Sequence, residues 1–215
     1  GFSVAAAQAR LYGGEVRFEG GMRPDASGPA RIQFRGQGTA SAEGLRDAGL
    51  GFVSRLFSNA SGSAAYSAQL AFRAGEPELL VSSNLQGMAL PLPAPLGKTA
   101  ADNLPLRLET SVLTTTSAVD GELALTDRLK VDIGPAAQPL LALHYERDIS
   151  GPEARVQRGS IALGLGAGEI APLPATGVAA NVHTPHLDAD AWERPSPAPP
   201  GWGCGRRPSP PPAPA

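Results

Sequence analysis

The chain of 215 residues carries 18 Lys+Arg against 20 Asp+Glu, a formal net charge of −2, and 16 of its cations are arginine. That balance offers no basic field for phosphate backbones, so nucleic acid is excluded as a partner. A single cysteine, Cys204, rules out a disulfide scaffold, and no window approaches about 18 uninterrupted apolar residues, so no bilayer-spanning helix is expected.

With 26 Gly and 22 Pro the chain interrupts itself often. Its first residue is Gly1 and its first methionine Met22, with no basic and then apolar leader ahead of the body, so the sequence reads as a fragment.

Along the chain the dominant signal is period two, the mark of strands with one apolar face. It begins at Val16 and Phe18 and returns at Ile32 and Phe34, set between Arg31, Gln33 and Arg35. One segment then departs from it: Leu45, Ala48, Phe52, Val53, Leu56 and Phe57 fall at helical spacing and predict one short amphipathic helix, weakened by Gly49 and Gly51. Alternation resumes at Tyr66, Ala68, Leu70 and Phe72, and again at Leu104, Leu106 and Leu108. The clearest strand is 122–133, where Leu123, Leu125, Leu129, Val131 and Ile133 share one parity and Glu122, Thr126, Arg128, Lys130 and Asp132 the other. Asp127 intrudes on the apolar side. Leu141, Leu143 and Tyr145, then Ile161, Leu163 and Leu165, then Val178, Ala180 and Val182 complete the series.

Turn residues separate these runs: Gly13-Gly14, Pro24-Asp25 before Ser27-Gly28, Gly75-Glu76-Pro77, Asp120-Gly121, Gly134-Pro135 and Gly151-Pro152. Short connections join antiparallel neighbours, since a parallel pair needs a crossover. The expected fold class is therefore all-β: an extended, curved antiparallel sheet of successive hairpins with one short helix. Its apolar face is covered either by a second sheet, as in a closed sandwich or barrel, or stays open as a groove. The scarcity of large aromatics leaves less bulk to plug an interior and points toward the groove.

Two units are expected. Residues 1–192 form the β-rich body; residues 193–215 hold nine prolines and the only cysteine and no apolar period, so they are expected to be disordered. Their Pro, Arg, Gly and Ala content is also what GC-rich coding DNA yields when read out of frame, and the tail reads as frameshifted or truncated rather than as a peptide ligand. Without it the body has 15 cations and 19 anions, a net charge of −4.

Catalytic motifs are missing: there is no nucleophile elbow, phosphate loop, paired Cys motif or His-Glu metal helix. The run Gly164, Gly166, Gly168 ends in Glu169 without opening a helical pattern and reads as a strand exit. His183, His186, Asp188 and Asp190 lie within eight residues, but Pro185 splits the histidines and no second cluster supports them, so a solvated strand end is expected and no metal. His144 falls on the polar parity and is expected to be exposed. No cofactor is implied.

Two stretches resemble a known family. Val81-Ser82-Ser83-Asn84-Leu85-Gln86-Gly87 followed by Leu90-Pro91-Leu92-Pro93-Ala94-Pro95-Leu96-Gly97-Lys98 is similar to a strand reading V-S-x-L-x-G with its LP-x-PL-x-K loop. Arg158-Gly159-Ser160-Ile161, Pro172-Leu173-Pro174-Ala175-Thr176-Gly177-Val178 and Leu187-Asp188-Ala189-Asp190-Ala191-Trp192 resemble a glycine-led strand, LP-x-x-G-V and LD-x-D-x-W. Their order, over residues 60–192, resembles YhdP-type members of the AsmA-like superfamily of bacterial envelope proteins. The resemblance implies a non-enzymatic, periplasmic portion of an inner-membrane-anchored protein. It would carry phospholipid between inner and outer membrane along an apolar groove, its partners being acyl chains and, through other parts of the parent chain, the envelope membranes. On this reading the groove-lining candidates are Leu123, Leu125, Leu129, Val131, Ile133, Leu141, Leu143, Ile161 and Leu163. The alternative is a structural or adhesive β module with a closed core and no conduit.

Overall fold

Strict alternation demands a sheet with two unlike faces, and a computed structural model of the protein, describing residues 1–23, 31–49, 52–73, 75–116, 123–151 and 154–184, has one. Its strands are β1 (Phe2–Leu11), β2 (Gly14–Arg23), β3 (Arg31–Ser41), β4 (Ser61–Arg73), β5 (Glu76–Ser83), β6 (Met88–Ala89), β7 (Leu106–Thr116), β8 (Leu123–Ile133), β9 (Leu141–Asp148), β10 (Arg155–Leu163) and β11 (Gly177–Val182). They pair in the order β1-β2-β3-β4-β5-β7-β8-β9-β10-β11, with the short β6 on β4. The all-β, hairpin-rich class expected from the alternation is the observed one.

Register makes the face. Following Cα partners from strand to strand, Ala7 lies opposite Phe18, then Gly36, Ala68, Val81, Leu108, Val131, Leu143, Ile161 and Ala180. Every member of that row is apolar, across all ten strands of the path. At roughly 4.8 Å per strand spacing it runs for about 43 Å.

Three departures from expectation have physical reasons. The single helix is two, α1 (Ala42–Asp47) and α2 (Phe52–Leu56). The first begins at a Ser41 N-cap whose Oγ accepts from the Gly44 amide at 3.0 Å, and Gly49 follows it at φ +65°, a left-handed conformation that interrupts the helical pattern. Next, β10 and β11 pair in parallel, not as a hairpin. Residues 164–176 connect them, long enough for the crossover that a parallel pair requires. Leu165 lies in this connection, beyond the end of β10. Finally, β1 had no alternation to announce it: FSVAAAQARL is dominated by alanine, and a bulge between Val4 and Ala7 breaks its parity.

The turns at 24–30 and 120–121 and the tail at 193–215 lie outside the described residues.

The outer face is a lattice of charge. Glu146 stands opposite Arg128 on one side and Arg158 on the other. Its carboxylate accepts from Arg128 Nε at 3.1 Å and from Arg158 Nε at 2.6 Å. Lys130 and Asp132 pair at 3.2 Å. His144 is on this face as expected but is half-buried, because Lys130 and Ser160 flank it in register.

The Arg158 hydrogen bond above all, then that of Arg128, holds the Glu146 carboxyl below its ordinary value against the cost of its burial. The native state then binds fewer protons than the unfolded one, so the stabilisation is present above about pH 4.3, the unfolded value, and is lost as pH falls through the depressed one. Glu146→Gln is expected to lower the urea midpoint at neutral pH and to flatten its fall on the acid side, leaving the two proteins nearly equal once Glu146 is protonated.

Candidate apolar groove

The inner face becomes a groove because its floor is small and its flanks are large. Gly36, Ala40, Ala64 and Ala68 contribute little bulk, whereas Phe18, Phe34, Leu70, Leu79, Val81 and Leu108 stand around them. The resulting hollow has a volume of ≈ 630 Å³. Arg35 is the one charged residue in its lining, and its register position is on the outer face. The flanking residues Phe18, Phe34, Leu70, Leu79 and Val81 are only half-buried, so the hollow is open to its surroundings.

Two other elements wall it. From α1, α2 and the residue that follows α2 come Leu45, Leu56 and Phe57; from residues 84–105, which join β5 to β7, come Leu85 and Met88. Phe57 and Met88 are 2% and 0% exposed, so this wall is packed as tightly as a core. Gly87 makes the entry to the connection possible: it adopts φ +92°, and a Cβ there would sit 2.4 Å from the Ser63 carbonyl oxygen. Lys98 then ties the connection together, its Nζ donating to the Leu85 carbonyl at 2.8 Å and to that of Met88. Desolvation lowers the Lys98 ammonium, partly offset by Asp102.

The nine sequence-derived positions fall in different surroundings. Val131 lines the hollow directly. Ile133, Leu141, Leu143 and Leu163 are buried in one cluster with Leu90, Leu96 and Leu104 of the connection, and Leu129 and Ile161 pack against that cluster part-exposed. Leu125 is 37% exposed, and the side chain of Leu123 lies outside the described residues. The alternation of 122–133 does not reveal the contribution of β2 to β5. Phe18, Phe34 and Leu70 sat in recognised runs, but only register aligns them with Val131. In β5 the consecutive Leu79, Leu80 and Val81 hide the parity altogether.

Burial raises the phenols of Tyr66, which lines the hollow, and Tyr145, so both remain neutral. Of the His/Asp group, His183 is described, 3.5 Å from Glu169, while His186, Asp188 and Asp190 lie outside the described residues. A larger hollow of ≈ 750 Å³ on the outer face is lined mostly by polar residues, Glu15, Arg17, Gln37 and Asn84 among them.

One open sheet, apolar along one face and walled there by two short helices and a leucine-rich connection, defines a β-groove protein. The family model described as YhdP protein matches residues 1–195, and the chain belongs to that family. The match takes in β1 to β3, ahead of the motifs that carried the resemblance. The family is one of envelope proteins of lipid-transport type rather than one known for enzymes. No curated protein and no solved structure matches the chain. Among the described residues no helix is long and apolar enough to cross a membrane.

Replacing Lys98 by Met removes a charged donor from two backbone carbonyls while keeping the aliphatic stem. The expected loss is about 1–3 kcal/mol of stability, read by urea unfolding. Protease sensitivity should rise first within residues 84–105.

Proposed function

We propose that this chain is a segment of a periplasmic bridge that carries phospholipid between the inner and outer membranes, its acyl chains lying against the inner face of the sheet. The observation that carries the reading is the apolar row from Ala7 to Ala180, continuous across ten strands and open over β2 to β7. Shielding a methylene from water is favourable by about 0.8 kcal/mol, so such a face can hold an acyl chain along its path without a covalent step. Movement along it needs no catalytic residue.

The positions on β8 to β10 extend the same surface. Leu125 and Leu129 offer it directly, while Ile133, Leu141, Leu143 and Leu163 back the wall formed by the connection. A closed adhesive module would require a second sheet over the apolar face or pairing of β1 with β11 into a barrel. Among the described residues every strand belongs to one sheet whose end strands, β1 and β11, do not pair with each other, which favours the conduit.

Gly36 supplies the sharpest test. A Cβ there would meet only ordinary contacts, the nearest at 3.5 Å to Val16, so Gly36→Leu can fill the floor without backbone strain. The variant is expected to keep its fold by circular dichroism and lose most co-purified lipid. A photo-crosslinking residue at Leu70, in the groove, should capture phospholipid in the full-length parent; at Gln69, one position along on the opposite face, it should not. Equal capture at both, or none at Leu70 in a folded protein, sinks the conduit.

A further inference from the structure

Among the described strand residues whose register puts them on the inner face, two are charged, Asp127 and Arg147, and they are partners across β8 and β9. Asp127 is 5% exposed. Its Oδ1 accepts from Arg147 Nε at 2.8 Å, its Oδ2 accepts from Arg147 Nη2, and Thr110 Oγ1 lies 3.5 Å from that same oxygen. The guanidinium thus grips the carboxylate edge-on and hides it. Of its own five N–H donors two are used, and the other three have no partner among the described residues. The Arg147 side chain keeps 27% exposure.

Stability does not account for this arrangement. Taking an ion pair out of water costs about as much as the pair returns, and apolar replacements of equal volume are commonly neutral or stabilising. What the pair adds to a face that carries no other charged residue among the described strands is a fixed set of free, planar donors matched to a phosphate. Their place is also defined: Val131, in the lining of the hollow, is four residues from Asp127 along β8, about 13 Å from the partner that Arg147 faces in register. An extended acyl chain covers that span.

We propose that Arg147, held in place by Asp127, is a headgroup station: it hydrogen-bonds the anionic phosphodiester of a lipid whose acyl chains occupy the groove. The inference rests on the lipid-conduit reading and adds to it the polar end of the ligand and the residue that meets it. Carboxylate repulsion is suppressed because Asp127 is buried and engaged, so the groove sees the outer edge of the guanidinium. Truncating Arg147 alone would strand a buried carboxylate, so both partners are changed together.

The protein is equilibrated in non-ionic micelles with equal amounts of dioleoyl-phosphatidylglycerol and dioleoylglycerol, and bound lipid is counted by native mass spectrometry. The unmodified protein is expected to favour the phosphate-bearing lipid by about tenfold, the worth of a charged hydrogen bond. In Asp127→Leu/Arg147→Leu total bound lipid and the melting temperature should hold while the preference falls to near unity. Asp127→Asn/Arg147→Met, closer in shape, should do the same if the first variant folds poorly. A preference that survives either folded double variant, or one that is absent from the unmodified protein while both lipids bind, overturns the headgroup station and leaves the conduit standing. Failure of the unmodified protein to bind either lipid removes both. Binding of inorganic phosphate by the lipid-free protein, lost in the double variant, would assign these donors to a soluble anion and overturn the lipid assignment.

Discussion

Cross-strand register is the constraint on which everything else in this protein depends. Side chains alternate with period two, so a slip of one residue in any pair would turn that strand's apolar set outward and break the row from Ala7 to Ala180. Ten strands hold that row together. The outer face reinforces it, because the same register that aligns Val131 with Leu143 also brings Glu146 between Arg128 and Arg158. A shifted strand would lose apolar contact on one side and ion pairing on the other, and both penalties point to a single pairing.

An apolar face left open is normally a hazard, and this sheet limits the exposure locally. Over β8 to β10 the connection 84–105 lays Leu90, Leu96 and Leu104 against Ile133, Leu141 and Leu143, forming an ordinary core. Nearer β2 to β5 the helices α1 and α2 approach with Leu85 and Met88 of the connection, and among the described residues the small Gly36 and Ala68 leave space between them. The same chain therefore builds a packed wall and an open hollow on one surface. Lys98 links the two by holding Leu85 and Met88 at the boundary.

Polar groups on the inner face are few, so their placement carries information. Burial raises the phenols of Tyr66 and Tyr145 above their ordinary value, and Tyr66 lies in the lining of the hollow. Asp127 and Arg147 neutralise each other while three of the guanidinium N–H donors have no partner among the described residues. Membership of the YhdP family gives this geometry its context, an envelope protein of lipid-transport type. An apolar path with one polar station is the form that a conduit for an amphipathic ligand would take.

The amino-acid sequence by itself determined that the body is β-rich, that most strands carry one apolar face, and that 122–133 is the cleanest of them. These follow from local periodicity, which each strand displays without reference to its neighbours. It also showed Asp127 as an intruder and left its partner unknown, because Arg147 is twenty residues away and becomes a partner only through pairing. Tertiary structure alone decided which runs share a row, that β10 and β11 are parallel, that α1 and α2 are separate, and that an open apolar hollow lies over β2 to β7 while the face along β8 to β10 is packed. Register, crossover and coverage by a distant connection are non-local properties. Periodicity tells a strand which face to hide, and only its neighbours determine what lies opposite that face.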